Sequence, residues 1–331
     1  MRVFFLALLA TTACQQASVR GFRDPLPPPN PPALEAESQT DRSVQTPVPA
    51  VDVLWVIDNS CSMAEEQSAL ARNFGAFINY FVGSGLDYHV GVVSTGFDDA
   101  SERGMLREGY GEKWIDSDTR EPVSVFRDMA EMGTNGPSEE KGRDQVYGAI
   151  ELLGRKDGSP NAGFYREDAA LAVIVISDED DASRVKSVWE FIDWMDDLKD
   201  QDDRVSFSSI VGPPGGCANA VEGTSYLQIT REVGGIEWSI CDSNWSAVLE
   251  ELGIQAAGLK REFYLSAIPV EGTVEVWVET DGHKEPYSEG RDWEYSRVRN
   301  SVRFNEYVPE PFAEVYMTYE PLSAARESAG Q

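Results

Sequence analysis

Two nearly continuous apolar runs, each ending abruptly at an aspartate, constrain the fold of this chain more than any other feature. Residues 51–57 (VDVLWVI) precede Asp58, and residues 171–177 (LAVIVIS) precede Asp178. Runs with so little polar alternation are typical of strands buried on both faces of a parallel sheet. The carboxyl ends of such strands meet at one edge of the sheet, where binding sites form. The sequence therefore predicts an open α/β sheet with Asp58 and Asp178 at that edge.

Amphipathic segments lie between the predicted strands. From Met63 to about Tyr80, apolar residues recur at the spacing of one helix face. Further strands are predicted at 88–94, 205–212 and 236–240, further helices at 138–153, 185–198, 223–233 and 244–257, and irregular structure at 96–126. Ser138 is the expected N-cap of the second helix, with Glu139 and Glu140 in its first turn. Strands that alternate with helices predict a doubly wound, mostly parallel, Rossmann-like sheet.

The composition changes on both sides of this α/β segment. Residues 14–49 are rich in proline and polar residues, which predicts an extended tether. After Lys260, short alternating runs are separated by turn pairs such as Asp281-Gly282, which predicts a small antiparallel β-domain. The predicted organisation is a signal peptide at 1–13, the tether at 14–49, the α/β domain at 50–258, the β-rich C-terminal domain at 259–322 and a tail at 323–331.

The N-terminus has the pattern of an export signal. Arg2 precedes an apolar run, residues 3–10, that is too short to span a bilayer, and small residues lead from there to Cys14. This resembles a bacterial lipoprotein signal peptide, which implies a lipid on Cys14 that attaches the chain to a membrane. Thr11 departs from the leucine usual in that family. Gln15, rather than aspartate, favours sorting to the outer membrane; an ordinary signal peptide cut near Ala13 is the alternative.

The charge and the cysteines limit the partners and the compartment. The chain has 57 acidic and 28 basic residues and a net charge of −29, which repels nucleic acid and attracts cations or basic partners, or serves solubility alone. Besides Cys14, the exported chain has three cysteines, Cys61, Cys217 and Cys241. Cys217 and Cys241 suit a disulfide in an oxidising compartment. Because the count is odd, Cys61 is expected to be a free, poorly exposed thiol.

The segment after the first apolar run carries the predicted chemistry. Asp58-Asn59-Ser60-Cys61-Ser62 places three oxygen-bearing side chains at alternate positions of one loop. Hard cations such as Mg²⁺ bind about six oxygen ligands, often including water. Hydroxyl ligands with few carboxylates leave the ion with uncompensated positive charge, which an anionic group of a partner can satisfy. Taken one by one, the serines could instead cap the following helix, and the aspartates could be strand-end turn residues.

Asp58-x-Ser60-x-Ser62 after a buried strand resembles the metal-ion-dependent adhesion site of von Willebrand factor A domains, over roughly residues 51–258. The resemblance implies that Thr134 and Asp178 complete the site, that both serines and the threonine bind the ion directly, and that the aspartates often act through water. Thr95 also follows a strand and is the alternative to Thr134. Thr134 is favoured because the glycines at 133 and 136 suit a loop that must approach a ligand closely. Cys61 replaces the glycine usual between the serines.

The expected function is therefore an exported, lipid-anchored, metal-dependent binding or adhesion module. A divalent cation, Mg²⁺ before Ca²⁺ or Mn²⁺, would capture an Asp or Glu carboxylate of a protein partner. The expected location is the bacterial outer membrane, or a secreted or periplasmic one if Cys14 carries no lipid. A monomer is favoured.

An enzyme is not expected. His89 lies within a predicted strand and His283 lies in a turn, so neither belongs to a recognisable nucleophilic triad or zinc cluster, and no P-loop is present. Two alternatives stay open. One is a structural or envelope-assembly lipoprotein with an idle metal site, and the other, weaker one is a metal-assisted hydrolase.

Overall fold

The computed structural model describes residues 38–82, 84–137, 139–200 and 204–322. The strands are Gln39–Val44 (β1), Ala50–Ile57 (β2), Asp87–Ser94 (β3), Ala170–Ser177 (β4), Val205–Val211 (β5), Glu237–Ser239 (β6), Glu262–Tyr264 (β7), Glu275–Thr280 (β8), His283–Tyr287 (β9), Trp293–Ser296 (β10), Ser301–Phe304 (β11) and Glu314–Tyr319 (β12). The helices are Ala64–Ile78 (α1), Pro122–Ala130 (α2), Gly142–Tyr147 (α3), Val188–Asp196 (α4), Thr224–Val233 (α5) and Trp245–Ala256 (α6), and a π-helical turn, Gly148–Leu152, follows α3.

A five-stranded parallel sheet in the order β3-β2-β4-β5-β6 forms the centre of the α/β domain. Side chains of β2 alternate between its faces. Val53, Trp55 and Ile57 pack under α1, α2 and α6, whereas Leu54 and Val56 pack under α3, α4 and α5. Both faces of β2 are thus buried, which explains its continuous apolar run. The predicted α/β class, with a doubly wound parallel sheet and a C-terminal antiparallel β-domain, is confirmed.

The C-terminal β-domain is a sandwich of two antiparallel sheets, ordered β1-β12-β8-β9 and β10-β11-β7. Side chains of both sheets, such as Phe263, Phe304, Val276 and Met317, share one apolar cluster. Strand β1 pairs with β12 along its whole length, from Gln39 opposite Tyr319 to Val44 opposite Glu314. The sandwich is therefore built from residues on both sides of the α/β domain, which is inserted between β1 and β7.

The two segments that connect the domains are bonded to each other. The Val48 amide donates to the Ala257 carbonyl over 3.3 Å. The Gln45 side chain donates to the Lys260 carbonyl over 2.8 Å and accepts from the Lys260 amide over 3.1 Å. Since β2 begins at Ala50, this junction lies at the amino end of the parallel sheet.

Several local predictions were wrong. Residues 39–44, assigned to the tether, form β1. The helix expected from Ser138 begins at Gly142, and Glu140, expected in its first turn, precedes it and is buried; Ser138 itself lies outside the described residues. Helix α2, residues 122–130, was not predicted, and its first five residues fall in the segment expected to be irregular, 96–126.

Other predictions fall outside the described part of the chain. These are the signal peptide, the lipid site at Cys14, the tether up to residue 37 and the tail at 323–331. Within the described ranges, none of the helices has both the length and the apolar character needed to cross a membrane.

Candidate metal centre

Strands β2 and β4 are neighbours, and Asp58 and Asp178 follow them directly. The chain passes from β2 to β3 on one side of the sheet centre and then to β4 on the other, so β2 and β4 flank the position where the strand order reverses. The Asp58 amide donates to the Ile176 carbonyl over 3.0 Å, which extends the pairing to the end of both strands. The two aspartates thus lie at the crevice where open α/β sheets bind ligands.

Asp58 is fully buried and is held by two donors. Its Oδ1 accepts from the Ser60 amide over 2.7 Å, and its Oδ2 accepts from the Ser177 hydroxyl over 2.6 Å. Burial raises the pKa of Asp58, these hydrogen bonds lower it, and the charge of Asp178 raises it further. Because each carboxylate oxygen has two lone pairs, Asp58 keeps acceptor capacity for a further ligand or water.

The hydroxyls of Ser60 and Ser62 lie 3.2 Å apart at the start of α1. Ser60 is buried and Ser62 is exposed, so the pair leads from the sheet edge to the surface. The N-cap of α1 is Met63, and no side chain caps that helix. The serines therefore do not serve as N-caps, and their hydroxyls remain together beside Asp58.

Asp178 contributes a second buried carboxylate, with only 7% of its surface exposed. Its Oδ1 is buried and has no hydrogen-bond partner among the described residues. A buried acceptor of this kind is costly unless a donor or a cation satisfies it. Asp178 is therefore placed and left free for a ligand in the way that a metal site requires.

The loop around Thr134 lies against the Asp58–Ser62 loop. The Gly136 amide donates to the Asn59 carbonyl over 2.8 Å. Gln67 donates to the carbonyls of both Asp58 and Gly133, over 2.9 Å and 3.0 Å. A Cβ on Gly136 would come within 2.2 Å of the Asn59 side chain, so glycine is needed for this approach. Thr134 is half-buried, and its hydroxyl makes no hydrogen bond to another described residue.

Thr95, the competing threonine, also lies near the Asp58–Ser62 loop, next to Asn59. It is fully buried at the end of β3, and its hydroxyl donates to a carboxylate oxygen of Glu140. The same hydroxyl lies 3.5 Å from Asn59 Oδ1. Thr95 is thus already engaged inside the protein, which favours Thr134 as the threonine that is available to a ligand.

Glu140 is a third buried carboxylate at this edge, and the sequence analysis missed it. One of its oxygens has no hydrogen-bond partner among the described residues. Burial, followed by the charge of Asp58, raises the pKa of Glu140 to about 8, while the hydrogen bond from Thr95 acts in the opposite direction. No local pattern marked this residue, since an acidic pair before a helix is ordinarily a solvated first turn.

The charge of this edge is strongly one-sided. Neither Asp58 nor Asp178 forms an ion pair with a described residue, and the nearby bases are engaged elsewhere, Lys141 with Asp98 and Arg143 with Asp181. No cluster of three or more His, Cys, Asp or Glu side chains in the described ranges is arranged to hold a metal. The donor set that does fit a hard cation combines two carboxylates with hydroxyls.

Among the described residues, two cysteines form a disulfide and one is free, as predicted, but the exposure of the free cysteine differs from the prediction. Cys217 and Cys241 form the predicted disulfide, which closes the segment between β5 and α6. Cys61 is free, but it is exposed, so the expectation of a poorly exposed thiol was wrong. Exposure begins at Cys61, directly after the buried Asp58, Asn59 and Ser60, and continues through Ser62.

No protein-family model matches the chain, and no curated protein matches it. Among solved structures it is similar to a von Willebrand factor type A protein from Catenulispora acidiphila (12% identity, TM-score 0.42, covering 85% of this chain and 65% of that one). It is also similar to proximal thread matrix protein 1 of the mussel byssus (14% identity, TM-score 0.42, covering 69% of this chain and 52% of that one). A third similar structure is the pilus adhesin SpaC of Lactobacillus rhamnosus GG (10% identity, TM-score 0.42, covering 85% of this chain and 40% of that one). The chain spans less than two thirds of each of these structures. The strand order and the connections of the sheet establish the doubly wound α/β fold independently of these similarities.

Proposed function

We propose that this protein is an exported binding or adhesion module of the von Willebrand factor A type, and not an enzyme. Its α/β domain would bind a divalent cation, Mg²⁺ before Ca²⁺ or Mn²⁺, and capture an Asp or Glu side chain of a protein partner. One observation carries the proposal: two buried carboxylates meet beside a pair of hydroxyls, without a basic side chain to compensate them. That arrangement suits a hard cation with oxygen ligands.

Each residue has a distinct part in this proposal. Ser60, Ser62 and Thr134 would supply neutral oxygens, while Asp58 and Asp178 supply negative charge from the sheet edge. Asp58 also fixes the loop, because it accepts the Ser60 amide. A cation held by so few charged ligands would supply Lewis acidity toward an external carboxylate. The exposed position of Ser62 leaves this side of the centre open to a partner.

The experiment compares the full chain with Asp58→Ala. Calorimetry with Mn²⁺ and Mg²⁺ measures cation binding, and NMR measures binding of the probe acetyl-Gly-Glu-Gly-amide with and without the cation. We expect a saturable site in the wild type, metal-dependent binding of the peptide, and loss of both in Asp58→Ala. The matched control is Asp157→Ala, because Asp157 is an exposed aspartate remote in sequence from the centre.

Two results would contradict the proposal. If the wild type takes up no cation at millimolar Mn²⁺, the site is idle, and a structural or envelope-assembly role is the better interpretation. If the peptide still binds to Asp58→Ala in the presence of EDTA, capture does not depend on the metal. Circular dichroism of both variants shows that a loss of binding is not a loss of folding.

The proposed location is the bacterial cell envelope, with a lipid on Cys14 in the outer membrane, or otherwise a secreted or periplasmic protein. The Cys217–Cys241 disulfide supports an oxidising compartment. Replacing Cys14 with alanine should move the protein from the membrane fraction to the soluble fraction. A monomer that does not bind nucleic acid is part of the same proposal, in keeping with the net charge of −29.

A further inference from the structure

One end of the C-terminal sandwich faces away from the α/β domain. The connections to that domain leave the other end, where β1 finishes at Val44 and β7 begins at Glu262. The remote end consists of the β10–β11 turn, residues 297–300, and the segment that follows β7, residues 265–270. We call these two segments the distal end. The metal centre and the distal end thus lie on opposite sides of the junction between the domains.

Two exposed apolar side chains mark the distal end. Val298, in the β10–β11 turn, has 98% of its surface exposed, and Ile268 has 60%. Turns are ordinarily built from Gly, Pro, Asn, Asp and Ser, so a β-branched apolar residue is unusual there. The two segments are bonded to each other, because the Leu265 amide donates to the Asn300 carbonyl over 2.8 Å and the Asn300 side chain donates to the Leu265 carbonyl over 2.9 Å. Both apolar side chains therefore project from one hydrogen-bonded surface.

A groove of about 350 Å³ opens on this surface. Its larger apolar lining residues are Ile268, Pro269, Val270, Val274, Tyr295 and Leu322. Its charged lining residues are Glu271, which forms an ion pair with Arg297, and Glu289. The groove thus has no excess of positive charge, and apolar surface is what distinguishes it.

The N-terminal part of the chain enters the described structure at the same end. Gln39, the first residue of β1, donates from its side chain to the Ser266 hydroxyl over 2.5 Å, and Asp41 accepts from the Ser266 amide over 2.8 Å. Residues 15–37, which join Cys14 to this point, span at most about 80 Å even when fully extended. A lipid on Cys14 would therefore keep the distal end near the membrane, where a high local concentration favours a weak contact.

We propose that the distal end docks on the surface of a lipid bilayer, with Val298 and Ile268 inserted among the headgroups. The proposal rests on the lipid anchor of the proposed function and adds the orientation of the protein on the membrane: the metal centre faces away from it. The bilayer that fits is zwitterionic. The groove offers no excess positive charge to anionic lipid, and the chain as a whole, with a net charge of −29, is repelled by it.

The test attaches the protein to a membrane by chemical means. It uses the mature chain, residues 14–331, which contains every described residue, with Cys61→Ser so that a maleimide lipid couples to Cys14 alone. The lipid is part of a phosphatidylcholine nanodisc, and some of the other lipids carry a gadolinium chelate that broadens the NMR signals of nearby nuclei. The readout is the broadening at the distal end relative to the loop around Thr134, at the metal centre.

We expect stronger broadening at the distal end than around Thr134. Val298→Ser and Ile268→Ser should each lower the ratio of docked to undocked protein by about tenfold, as for an apolar side chain that is no longer removed from water. The double variant should lose the excess broadening. The matched control combines Val82→Ser with Val185→Ser, which changes two valines of the α/β domain with 54% and 50% exposure, and it should keep the excess.

Equal broadening at both sites in the wild type would overturn the inference, as would an excess that survives in the double variant. Docking that requires phosphatidylglycerol and is lost in about 0.5 M NaCl would also overturn it, because charge would then hold the protein. A dimer in sedimentation experiments that Val298→Ser dissociates would assign the distal end to a second copy of the chain instead.

Failure of the proposed function gives a different result. If Cys14→Ala does not change the cellular fraction of the protein, the natural lipid anchor is wrong, but the coupled protein still shows whether the distal end docks. If the wild type binds no cation in calorimetry, the metal centre is idle, and the broadening pattern is unaffected.

Discussion

The two ends of strand β2 each hold a fully buried aspartate, and the protein compensates their charges differently. At the amino end, Asp52 accepts from the Arg166 guanidinium over 2.8 Å and from the Arg166 amide over 2.6 Å, and His89 lies 3.6 Å away. At the carboxyl end, Asp58 has only hydroxyl and amide donors. Burial raises both pKa values, but Arg166 opposes the rise at Asp52, whereas Asp178 adds to it at Asp58.

This contrast separates a buried carboxylate that is compensated within the chain from buried carboxylates that are not. A buried carboxylate is tolerated when it is paired and hydrogen-bonded. Asp52 meets that condition within the chain. Asp58, Asp178 and Glu140 do not, and their mutual repulsion lowers the stability of the metal-free protein. The carboxyl end is therefore the end that gains most from a cation supplied from outside.

The largest effect should come from breaking the compensated end. Arg166→Met leaves Asp52 buried without its cation, and we expect the free energy of unfolding to fall by about 3 kcal/mol. Urea denaturation measures the change. The control Arg155→Met removes partly exposed pairs with Glu151 and Glu167 and should cost about 1 kcal/mol or less. Equal losses in the two variants would show that the amino end is not specially compensated.

The next largest effect should be stabilisation of the other end by metal. At a Mn²⁺ concentration about 100 times Kd, binding adds about 2.7 kcal/mol to the free energy of unfolding. We expect this gain in the wild type but not in Asp178→Asn, because the amide is a poor ligand for a cation. The substitution also removes an uncompensated negative charge, so the metal-free variant should not be less stable than the wild type. Thermal unfolding with and without Mn²⁺ measures it. Asp52→Asn, at the opposite end, should be less stable and still respond to Mn²⁺; a lost response there would contradict the comparison.

A smaller effect should appear in the dependence of stability on pH without metal. Glu140 has a pKa of about 8 in the folded protein, above its ordinary value of 4.5. Between these values the folded state holds the proton and the unfolded state does not, so stability falls as the pH rises from about 5 to 8, by up to about 1.4 kcal/mol per pH unit. Glu140→Gln should remove this part of the slope in urea titrations at several pH values. Glu139→Gln, at an exposed neighbour, should leave it, and an unchanged slope in Glu140→Gln would refute the assignment.

The smallest effect should follow substitution of Cys61. Because its side chain is exposed, we expect Cys61→Gly to change the affinity for Mn²⁺ by about twofold or less. Calorimetry measures this, and a thiol reagent should label Cys61 in the native wild type. A tenfold change in affinity would show that the residue between the serines shapes the centre after all.

The buried strands could be predicted because their signal is local. An apolar run such as 171–177 must be covered on both faces wherever it lies, and the aspartate after it marks its end. The same reasoning placed Asp58 and Asp178 at one edge. Once that edge is known, the proximity of Ser60 and Ser62 follows from their spacing in one loop.

Features that depend on distant partners could not be predicted in this way. Strand β1 has the polar sequence QTDRSV, and only its pairing with β12, at the other end of the chain, makes it a strand. The unusual pKa of Glu140 arises because the fold buries it and brings Thr95 and the charge of Asp58 close to it. The exposure of Cys61 depends on how the loop turns before α1, which spacing alone does not determine.

The insertion of the α/β domain between β1 and β7 has a mechanical consequence. If a captured partner pulls on the carboxyl edge, the load crosses the parallel strands along their length and leaves at the amino end through two covalent connections, around residues 45–49 and 257–261. These connections are bonded to each other through Gln45 and Lys260. The tension is thus shared between two connections rather than carried by one, and the hydrogen bonds between them must break before either connection can extend without the other.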